Sequence, residues 1–399
     1  MNYRLLSMVL SIASCVSAAA ADRVNVQTYG ALPNDGIDDR QNIQNAVDAN
    51  PGGHIYFPPG TYNISGHILL RDASYRLSGG GTHFYGTVLA FSPGPPYGDA
   101  GIYAEHLGGK TLNIDGLVFR ATGGNCGWAL WAEFERAAGS GGNFRTASLS
   151  NVKIDASGSG YWLTGIYLQG ANHTVLDAVD ITGQGDATAE GIFYESNAQN
   201  TYGLQATNLT IRRCRTALRT AGIVEGVYVR GFTFTGCGRQ GNYAVDLRTI
   251  GGGAMHLLGY PTGLSTLETV GPGVRSNMNF SKVSGVRFIH GSPSETEENA
   301  TMLYINHESP ALGDQTYSAT VTGCVFNGTN AIGIPAQNGI FLSNTRMVQI
   351  QGNTFQDMQP GNGSCIVALA DCRTIRISEN TFNNVRQAIN NSAPDVQVR

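Results

Sequence analysis

The sequence predicts an all-β fold, a solenoid of stacked parallel coils, and two observations carry that prediction. Short apolar strand patterns recur along most of the chain, with about 23 to 38 residues between most neighbouring copies. The composition is also unusual, since 53 of 399 residues are Gly and only 14% are charged, against a usual ~7% and ~25%. Glycine destabilises helix interiors by about 1 kcal/mol per position, which disfavours helical bundles. The 41% of hydrophobic residues excludes a disordered chain.

Residues 1–21 are predicted to be an export signal. One Arg precedes an apolar run that is too short to span a bilayer, and small residues of the A-x-A type follow it. The expected location of the mature protein is therefore secreted or periplasmic. An alternative is open in the same stretch, because residues 12–15 resemble a lipoprotein box in which Cys15 would carry an acyl anchor. No later stretch is long and apolar enough to predict a transmembrane segment.

Residues 24–65 predict a cap for the solenoid. An alternating strand runs into a turn at residues 33–36, and Asp38-Asp39 offers an N-cap for a short helix. Ile43, Ala46 and Val47 form the buried stripe of that helix, which stops at residues 51–53. Residues 54–65 then read as a strand, a turn and a second strand.

The cap segment resembles the opening of the pectate-lyase-like right-handed β-helix superfamily. The resemblance rests on YGALPNDGIDD at residues 29–39 and GGHIYFPPGTY at residues 52–62. It implies a right-handed parallel β-helix that acts on carbohydrate. The superfamily includes lyases, glycoside hydrolases, epimerases and phage tailspikes, so the resemblance does not choose the chemistry.

The repeats predict a single β-helix domain over residues 22–399, with the cap at 22–65 and roughly ten coils at 66–399. One strand family repeats the pattern apolar, two positions, apolar, one position, apolar, as in Ile114/Leu117/Phe119. Gly residues lie between the strands and are expected at the corners of the coils. These are Gly116, Gly123, Gly124, Gly158, Gly183, Gly236 and Gly352.

A second strand family predicts an outward-facing groove. Its four-residue segments begin at Leu130, Ile166, Ile192, Val245, Leu303 and Ile340. Because side chains alternate along a strand, the second and fourth positions should point outward. One outward column then reads Trp131, Tyr167, Phe193, a coil near Arg219, Asp246, Tyr304 and Phe341. Its neighbour reads Glu133, Gln169, Glu195, Arg219 or Thr220, Arg248, Asn306 and Ser343.

Such a column suits an extended sugar chain, with rings for stacking and charged groups for chemistry. The predicted substrate-binding residues are Trp131, Glu133, Tyr167, Gln169, Phe193, Tyr304 and Asn306. The expected partner is an extracellular polysaccharide. Nucleic acid is not expected, because the net charge is −4. The sequence leaves the oligomeric state open.

A cluster of arginines in the sequence suggests which reaction the protein catalyses. Residues 212–248 contain seven Arg, opposed only by Glu225 and Asp246, which favours an anionic ligand. For β-elimination from a uronate, Arg219 and Arg248 are the candidates for neutralising the carboxylate, with Tyr243 or His256 carrying protons. The predicted function is therefore an acidic-polysaccharide lyase.

Two other functions remain open: a glycoside hydrolase that uses Glu195 with Asp246, and a non-catalytic glycan-binding surface protein. Glu195 and Asp246 should stand two coils apart, about 9.6 Å. That is slightly wider than the ~6.5–9.5 Å of an inverting pair.

No cofactor is required by the sequence, although calcium is common in pectate lyases. Only Asp177, Asp180 and Asp186 form a loose acidic group, so metal dependence is open. Six Cys follow residue 21. Disulfides between Cys365 and Cys372 and between Cys214 and Cys237, or buried thiols throughout, are both compatible with an exported chain.

Overall fold

A computed structural model gives the structure of the chain. It describes residues 23–399 apart from 84–85, 94–99, 135–144, 157, 197–202, 251, 291–300, 308–316, 329–337 and 359–363. The described residues form two long parallel sheets and one α-helix, which confirms the predicted all-β parallel β-helix. The predicted export signal, including Cys15, lies outside the described residues. No helix within the described ranges is long and apolar enough to cross a bilayer.

The first sheet has twelve strands, and each pairs in parallel with the strands of the coils before and after it. All six segments of the second strand family lie on it, which confirms their shared register. Its strands are His67–Arg71, Ala100–Glu105, Gly127–Glu133, Thr164–Gln169, Glu190–Glu195, Thr216–Ala221, Val245–Leu247, Val274–Ser276, Thr301–Asn306, Asn338–Ser343, Ile366–Ala368 and Ile389–Asn391.

The second sheet has 22 strands, because most coils contribute either two short strands or one long bent strand to it. Its strands are Arg23–Asn25, His54–Tyr56, Gly60–Ser65, Tyr75–Ser78, Thr87–Ser92, Thr111–Asp115, Leu117–Ala121, Thr146–Asp155, Thr174–Thr182, Leu204–Arg212, Gly226–Cys237, Ala254–Leu258, Ser265–Thr269, Phe280–Ser284, Val286–His290, Ser318–Thr322, Val325–Asn327, Arg346–Gln351, Thr354–Gln356, Arg373–Ser378, Thr381–Asn383 and Val396–Val398.

Three short elements complete the described chain. They are a two-stranded pairing of Gly124–Asn125 with Gly160–Tyr161, and 3-10 turns at Val26–Tyr29 and Gly185–Ala187.

The helix Arg40–Asp48 caps the N-terminal end, and it buries Ile43, Ala46 and Val47 as predicted. The capping contact differs from the expectation. Asp38 accepts a hydrogen bond from the Arg40 backbone N–H (3.1 Å), whereas Asp39 makes no capping bond to the helix. Asp39 is instead buried and accepts from the backbone N–H groups of Leu32 and Asn63, which ties the turn to the strand Gly60–Ser65.

Side chains that point inward stack in columns and form one continuous hydrophobic core. In one column Phe288, Phe326, Phe355 and Phe382 lie nearly parallel, with ring centroids 4.6, 4.8 and 5.2 Å apart from one coil to the next. This is the rung spacing of a parallel sheet. The stack therefore ties successive coils together through the same contact.

Where a coil bends within the 22-stranded sheet, one residue takes a left-handed conformation. The aligned bend residues are Gly116, Asn151, Ala178, Asn208 and Gly231, all with φ between +50° and +66°. Of the glycines predicted at corners, Gly116, Gly124, Gly236 and Gly352 have positive φ. Gly123, Gly158 and Gly183 do not, and at Gly183 the reason is space, because a Cβ would stand 2.5 Å from the Arg213 carbonyl oxygen.

All six cysteines after residue 21 are buried free thiols. The structure therefore has neither Cys214–Cys237 nor Cys365–Cys372 as a disulfide. Burial raises the pKa of the Cys324 thiol to about 11 and that of Cys365 to about 12. These thiols act as small apolar side chains of the core.

The bend residues allow a paired stability test. Ala178 is exposed with φ +52°, so Ala178→Gly should raise the free energy of unfolding by about 1 kcal/mol, because glycine removes the left-handed Cβ penalty. Gly323 has φ +61° and open space around its Cα, so Gly323→Ala should lower it by a similar amount. Thermal or denaturant unfolding measures both, and equal signs for the two variants would contradict the account.

A buried histidine predicts acid sensitivity. His307 follows the strand Thr301–Asn306, is 2% exposed and stacks on Tyr317. Burial lowers its pKa from 6.5 to about 4. The contribution of His307 to the free energy of unfolding is therefore fully present above pH ~6.5. It falls by about 3 kcal/mol as the pH drops towards 4, because the unfolded chain takes up the proton before the folded chain does.

The measurement is the unfolding temperature of the protein against pH, compared with His307→Phe. The variant should lose less stability than the wild type between pH 6.5 and 4. His173→Gln, which removes an exposed histidine, is the matched control for the loss of a histidine. Parallel curves for wild type and His307→Phe would show that His307 is not the group that titrates.

Candidate active site

Outward-facing aromatic rings form a row of ring contacts along the first half of the twelve-stranded sheet, edge to face between Tyr103 and Trp131 and stacked from Trp131 to Phe193. Tyr103, Trp131, Tyr167 and Phe193 occupy one register position on four consecutive strands. Ring centroids are 5.3 Å apart for Tyr103 and Trp131, 6.0 Å for Trp131 and Tyr167, and 5.0 Å for Tyr167 and Phe193. We call these four residues the aromatic column.

The column changes from aromatic to charged at Arg219. Arg219 pairs in register with Phe193, and its guanidinium lies 4.9 Å from the centre of that ring. The Arg219 Nη1 donates to Glu190 Oε1 (3.2 Å), while the Thr164 hydroxyl donates to the other Glu190 oxygen (2.9 Å). The ring and the carboxylate together hold the guanidinium against the sheet.

Asp246 is the next residue of the column and is bound by two arginines. Arg275 Nε and Nη2 donate to its two oxygens at 2.9 and 2.7 Å, and Arg248 Nη2 lies 3.1 Å from Oδ2. The Arg275 guanidinium also lies 4.6 Å from the centre of the Tyr243 ring. Asp246 is only 6% exposed, whereas the side chains of Arg248 and Arg275 are 47% and 31% exposed.

We call Glu190, Arg219, Tyr243, Asp246, Arg248 and Arg275 the charged segment. Its three guanidiniums and two carboxylates leave one net positive charge, which suits an anionic group of a ligand. Asp246 accepts hydrogen bonds from Arg275 on both of its oxygens and forms an ion pair with Arg248, and this geometry orients the two guanidiniums.

Two tyrosines on this face of the sheet keep their protons at neutral pH. Burial raises the pKa of Tyr243 above its ordinary value. Burial, and then the hydrogen bond that Tyr167 donates to Glu195 Oε2 (2.5 Å), raise the pKa of Tyr167. Each phenol is therefore able to donate a proton and unsuited to accept one.

Beyond the charged segment the column becomes aromatic again. Tyr304 pairs in register with Arg275, and its ring makes an edge contact with Phe341 at 5.4 Å. Asn306 donates to the Tyr304 hydroxyl (3.1 Å). This face of the sheet thus has aromatic side chains on both sides of its charged centre.

The structure resolves the register at Arg219. Arg219 belongs to the column of Phe193 and Asp246, and the residue that follows Glu195 in the neighbouring column is Ala221. The placement of Arg219 or Thr220 in that neighbouring column was wrong. Thr220 points inward, 1% exposed, and exchanges hydrogen bonds with the Arg248 backbone.

Two residues of the charged segment were missed from the sequence. Arg275 fills the column between Asp246 and Tyr304, but its strand Val274–Ser276 is too short to show the four-residue pattern. Glu190 lies two positions before Ile192, outside the four-residue pattern of this strand family. Both residues lie on strands of the twelve-stranded sheet. Assigning one such strand to every coil, instead of only to coils with a clear copy of the motif, identifies both.

The arginine-rich segment 212–248 does not form one patch. Arg212 lies on the 22-stranded sheet and pairs with Asp180 (3.0 Å), and Arg239 pairs with Asp186 (3.4 Å). Arg230 is also on the 22-stranded sheet. Of the seven, Arg219 and Arg248 reach the charged segment, since successive strands of each coil face different sides of the solenoid.

His256 is removed from the site by the topology. It lies on the strand Ala254–Leu258 of the 22-stranded sheet, with its ring 4.9 Å from that of Tyr228. Asp246 and Tyr243 belong to the twelve-stranded side. The expectation that His256 is a proton carrier beside Asp246 is therefore wrong.

Glu195 and Asp246 are two strands apart, as expected, but they stand in different columns. Two rungs and two residues of offset place their Cα atoms about 12 Å apart. Glu133 and Gln169 occupy the same column as Glu195 on the two preceding strands. Glu195 therefore lies in the column beside the aromatic column, where it accepts a hydrogen bond from Tyr167, and it is not part of the charged segment.

In the described part of the chain, no group of three or more His, Cys, Asp or Glu side chains could hold a metal ion. The loose acidic group is accounted for by other contacts. Asp177 accepts from Thr207 and Asn208, and Asp180 and Asp186 pair with Arg212 and Arg239.

The chain belongs to the rhamnogalacturonase A/epimerase family of pectate lyase-like proteins, whose sequence profile matches residues 23–246. This confirms the resemblance seen in the cap. The family is polysaccharide-active and includes epimerases and glycoside hydrolases.

Similar sequences include the mannuronan C5-epimerase AlgE6 of Azotobacter vinelandii, 37% identical over 100 residues, which are 23% of this chain and 11% of that protein. The plasmin and fibronectin-binding protein A of Streptococcus pneumoniae is 44% identical over 57 residues, 13% of this chain and 8% of that protein. The chain thus spans about a tenth of the length of either relative.

Among solved structures, tailspike protein 3 of bacteriophage CBA120 matches with a TM-score of 0.53 and 12% identity, covering 95% of this chain and 61% of that one. That match shows the fold alone.

The Asp246 ion pairs predict a measurable difference in stability. Asp246→Asn should lower the free energy of unfolding by about 2 kcal/mol, because two guanidiniums lose a nearly buried anionic partner. The matched control is Asp180→Asn, which breaks an ion pair whose two side chains are 39% and 43% exposed. That change should cost less than about 1 kcal/mol. Denaturant unfolding compares the two variants, and equal losses would contradict a special role for Asp246.

Proposed function

We propose that this protein binds an acidic polysaccharide along the twelve-stranded sheet and cleaves it by β-elimination at the charged segment. The observation that carries the proposal is the replacement of the aromatic column by Arg219, Asp246 and Arg275 on three consecutive strands. Sugar rings pack their C–H groups against apolar aromatic surface, here the outward edges of the column, and guanidiniums bind carboxylates in a fork geometry. A uronate chain offers both kinds of group.

Arg219 and Arg248 are proposed to bind the carboxylate of the sugar residue that reacts. Pairing with guanidinium stabilises the negative charge that develops on the carboxylate when the C5 proton leaves. Asp246 and Arg275 are positioning residues here, since they hold Arg248 and the Tyr243 ring in place. One ligand carboxylate would balance the net charge of the segment.

The proposed proton acceptor is Glu190, and the proposed proton donor is Tyr243. Glu190 is bonded to Arg219, and its register partner on the next strand is Thr216. Leu218 pairs with Val245. Tyr243, two residues before Val245, therefore lies level with Thr216, two residues before Leu218. Glu190 begins the strand before that of Arg219, and Tyr243 lies just before the strand after it, so the two residues flank Arg219, about 10 Å apart at Cα. Glu190 would take the C5 proton, the C4–O4 bond would break, and the Tyr243 phenol would protonate the leaving O4. The product is an unsaturated sugar and a new chain end.

A hydrolase built on Glu195 and Asp246 fits the geometry less well. Their Cα atoms are about 12 Å apart and in different columns, and Glu195 is bonded to Tyr167 on the side away from Asp246, whereas the carboxyl groups of an inverting pair face one glycosidic bond from ~6.5–9.5 Å apart. Both Asp246 oxygens also accept hydrogen bonds from guanidinium N–H groups, which leaves this carboxyl group poorly placed to contact a glycosidic oxygen or an attacking water.

The test is a panel of uronate polymers and neutral glycans, assayed with and without calcium for ultraviolet-absorbing unsaturated products and for reducing ends. β-Elimination predicts both signals from at least one acidic polymer. Reducing ends without absorbance would identify a hydrolase. Exchange of the C5 hydrogen with deuterated water without cleavage would identify an epimerase, and binding alone would identify a glycan-binding protein. Any of these three results would contradict the proposed reaction.

Arginine variants test the site. Arg219→Gln should lower kcat/KM on the uronate polymer by about 100-fold or more, because it removes the charge that stabilises the transition state. Arg212→Gln is the matched control, since it removes an arginine from the same segment of sequence but from the 22-stranded sheet. It should leave kcat/KM unchanged. Equal effects of the two substitutions would show that the charged segment is not the site.

A further inference from the structure

A second cationic surface lies on the 22-stranded sheet at the N-terminal end of the solenoid. Arg23, His54 and Arg76 occupy one register position on three consecutive strands, Arg23–Asn25, His54–Tyr56 and Tyr75–Ser78. Their side chains point outward, because the residues beside them in each strand, Ile55 and Leu77, are buried in the core. The strands are about 4.8 Å apart, so the three groups span about 10 Å.

These three side chains line a cleft of about 450 Å³. None of the cleft's nine lining residues is acidic, and its other polar side chains are neutral, among them Ser74, Thr111 and Asn113. Both arginines are exposed, while His54 is half-buried between them. The cleft therefore collects positive charge and hydrogen-bond donors with no anion of its own.

Neither arginine is neutralised within the described part of the chain. Arg23 lies over the Tyr56 ring, 3.1 Å from its centre, and neither Arg23 nor Arg76 takes part in an ion pair. This contrasts with the charged segment, where each guanidinium has a carboxylate partner. Like charges on neighbouring strands repel one another, so an arrangement without a counter-ion favours an anion from outside.

The His54 ring is held by a hydrogen bond, and its pKa responds to the two neighbouring arginines. Its Nε2 lies 2.7 Å from the Ser78 hydroxyl oxygen. Burial lowers the pKa of His54, and the charges of Arg76 and then Arg23 lower it further. The ring is therefore held in position while it experiences two uncompensated positive charges.

We propose that this cleft is an anion-binding site for a carboxylate or sulfate oxyanion. Arg23 and Arg76 would bind the oxyanion from the two outer strands, each donating two parallel N–H hydrogen bonds from its guanidinium. The neutral Ser74, Thr111 and Asn113 side chains would complete its hydrogen bonds. A free oxyanion and the acidic group of a glycan chain share this chemistry, and the two sources are separated by the experiment below.

This site is independent of the proposed reaction, because it lies on the other sheet and uses none of the residues of the charged segment. Binding is therefore measured in the Arg219→Gln background, in which the groove is weakened. The probes are inorganic sulfate and a defined oligouronate, titrated by calorimetry. Resonances of the His54 ring, assigned through His54→Gln, report binding at the cleft itself.

Saturable binding of either probe that shifts the His54 resonances is the expected result. Arg76→Gln should weaken that binding about tenfold or more, as expected for the loss of charge-assisted hydrogen bonds. Arg287→Gln is the matched control, because Arg287 is an exposed arginine of the same sheet whose strand neighbours are Thr266 and Val325. It should change nothing.

The two sources of the anion give different outcomes. Oligouronate that binds more tightly than sulfate would identify a glycan-binding site, and sulfate that binds as tightly as oligouronate would identify a site for free oxyanions. Absence of saturable binding for both probes would overturn the proposal. So would binding that leaves the His54 resonances unmoved, or binding that Arg76→Gln and Arg287→Gln weaken equally. Loss of lyase activity has no bearing on these results, so the two proposals fail separately.

Discussion

Parallel pairing of each strand with its counterpart in the next coil controls everything else in this molecule. The pairing holds successive coils in register, so a side chain at a given position meets the equivalent side chain one rung away. Inward positions then become stacks such as Phe288, Phe326 and Phe355, and outward positions become columns. The hydrogen bonds between coils are local in space although they join residues about 30 apart in sequence. Core, groove and charged surfaces are consequences of that one periodic constraint.

The same constraint explains why the charged segment is compact. Arg219, Asp246 and Arg275 come from three coils, yet they are neighbours on the sheet because their strands share a register. The Asp246 carboxylate lies between the guanidiniums of Arg248 and Arg275 and offsets the repulsion between these two positive charges. Where no such carboxylate is present, at Arg23, His54 and Arg76, positive charge stays uncompensated. Equivalent geometry on two faces of the solenoid therefore gives two electrostatic environments.

Much of the site was predictable where the strand pattern is strong. The segments at Leu130, Ile166 and Ile192 alternate regularly, and their outward residues occupy the predicted columns. The prediction was incomplete where strands shorten. Val274–Ser276 has only three residues, so its apolar pattern is too brief to see in the sequence, and Arg275 was missed. The prediction for His256 was wrong for a different reason: counting residues does not say which side of a coil a strand faces.

The sequence by itself determined the fold, because the cap motif, the glycine content and the recurrence of short apolar strands all follow from local chemistry and period. It also determined which residue types would alternate between core and surface. Only the tertiary structure decided which charges meet. Arg212 and Arg219 are seven positions apart, yet one pairs with Asp180 on one sheet and the other with Glu190 on another. The physical reason is that each coil turns its strands towards different faces, so proximity depends on register between coils and not on distance along the chain.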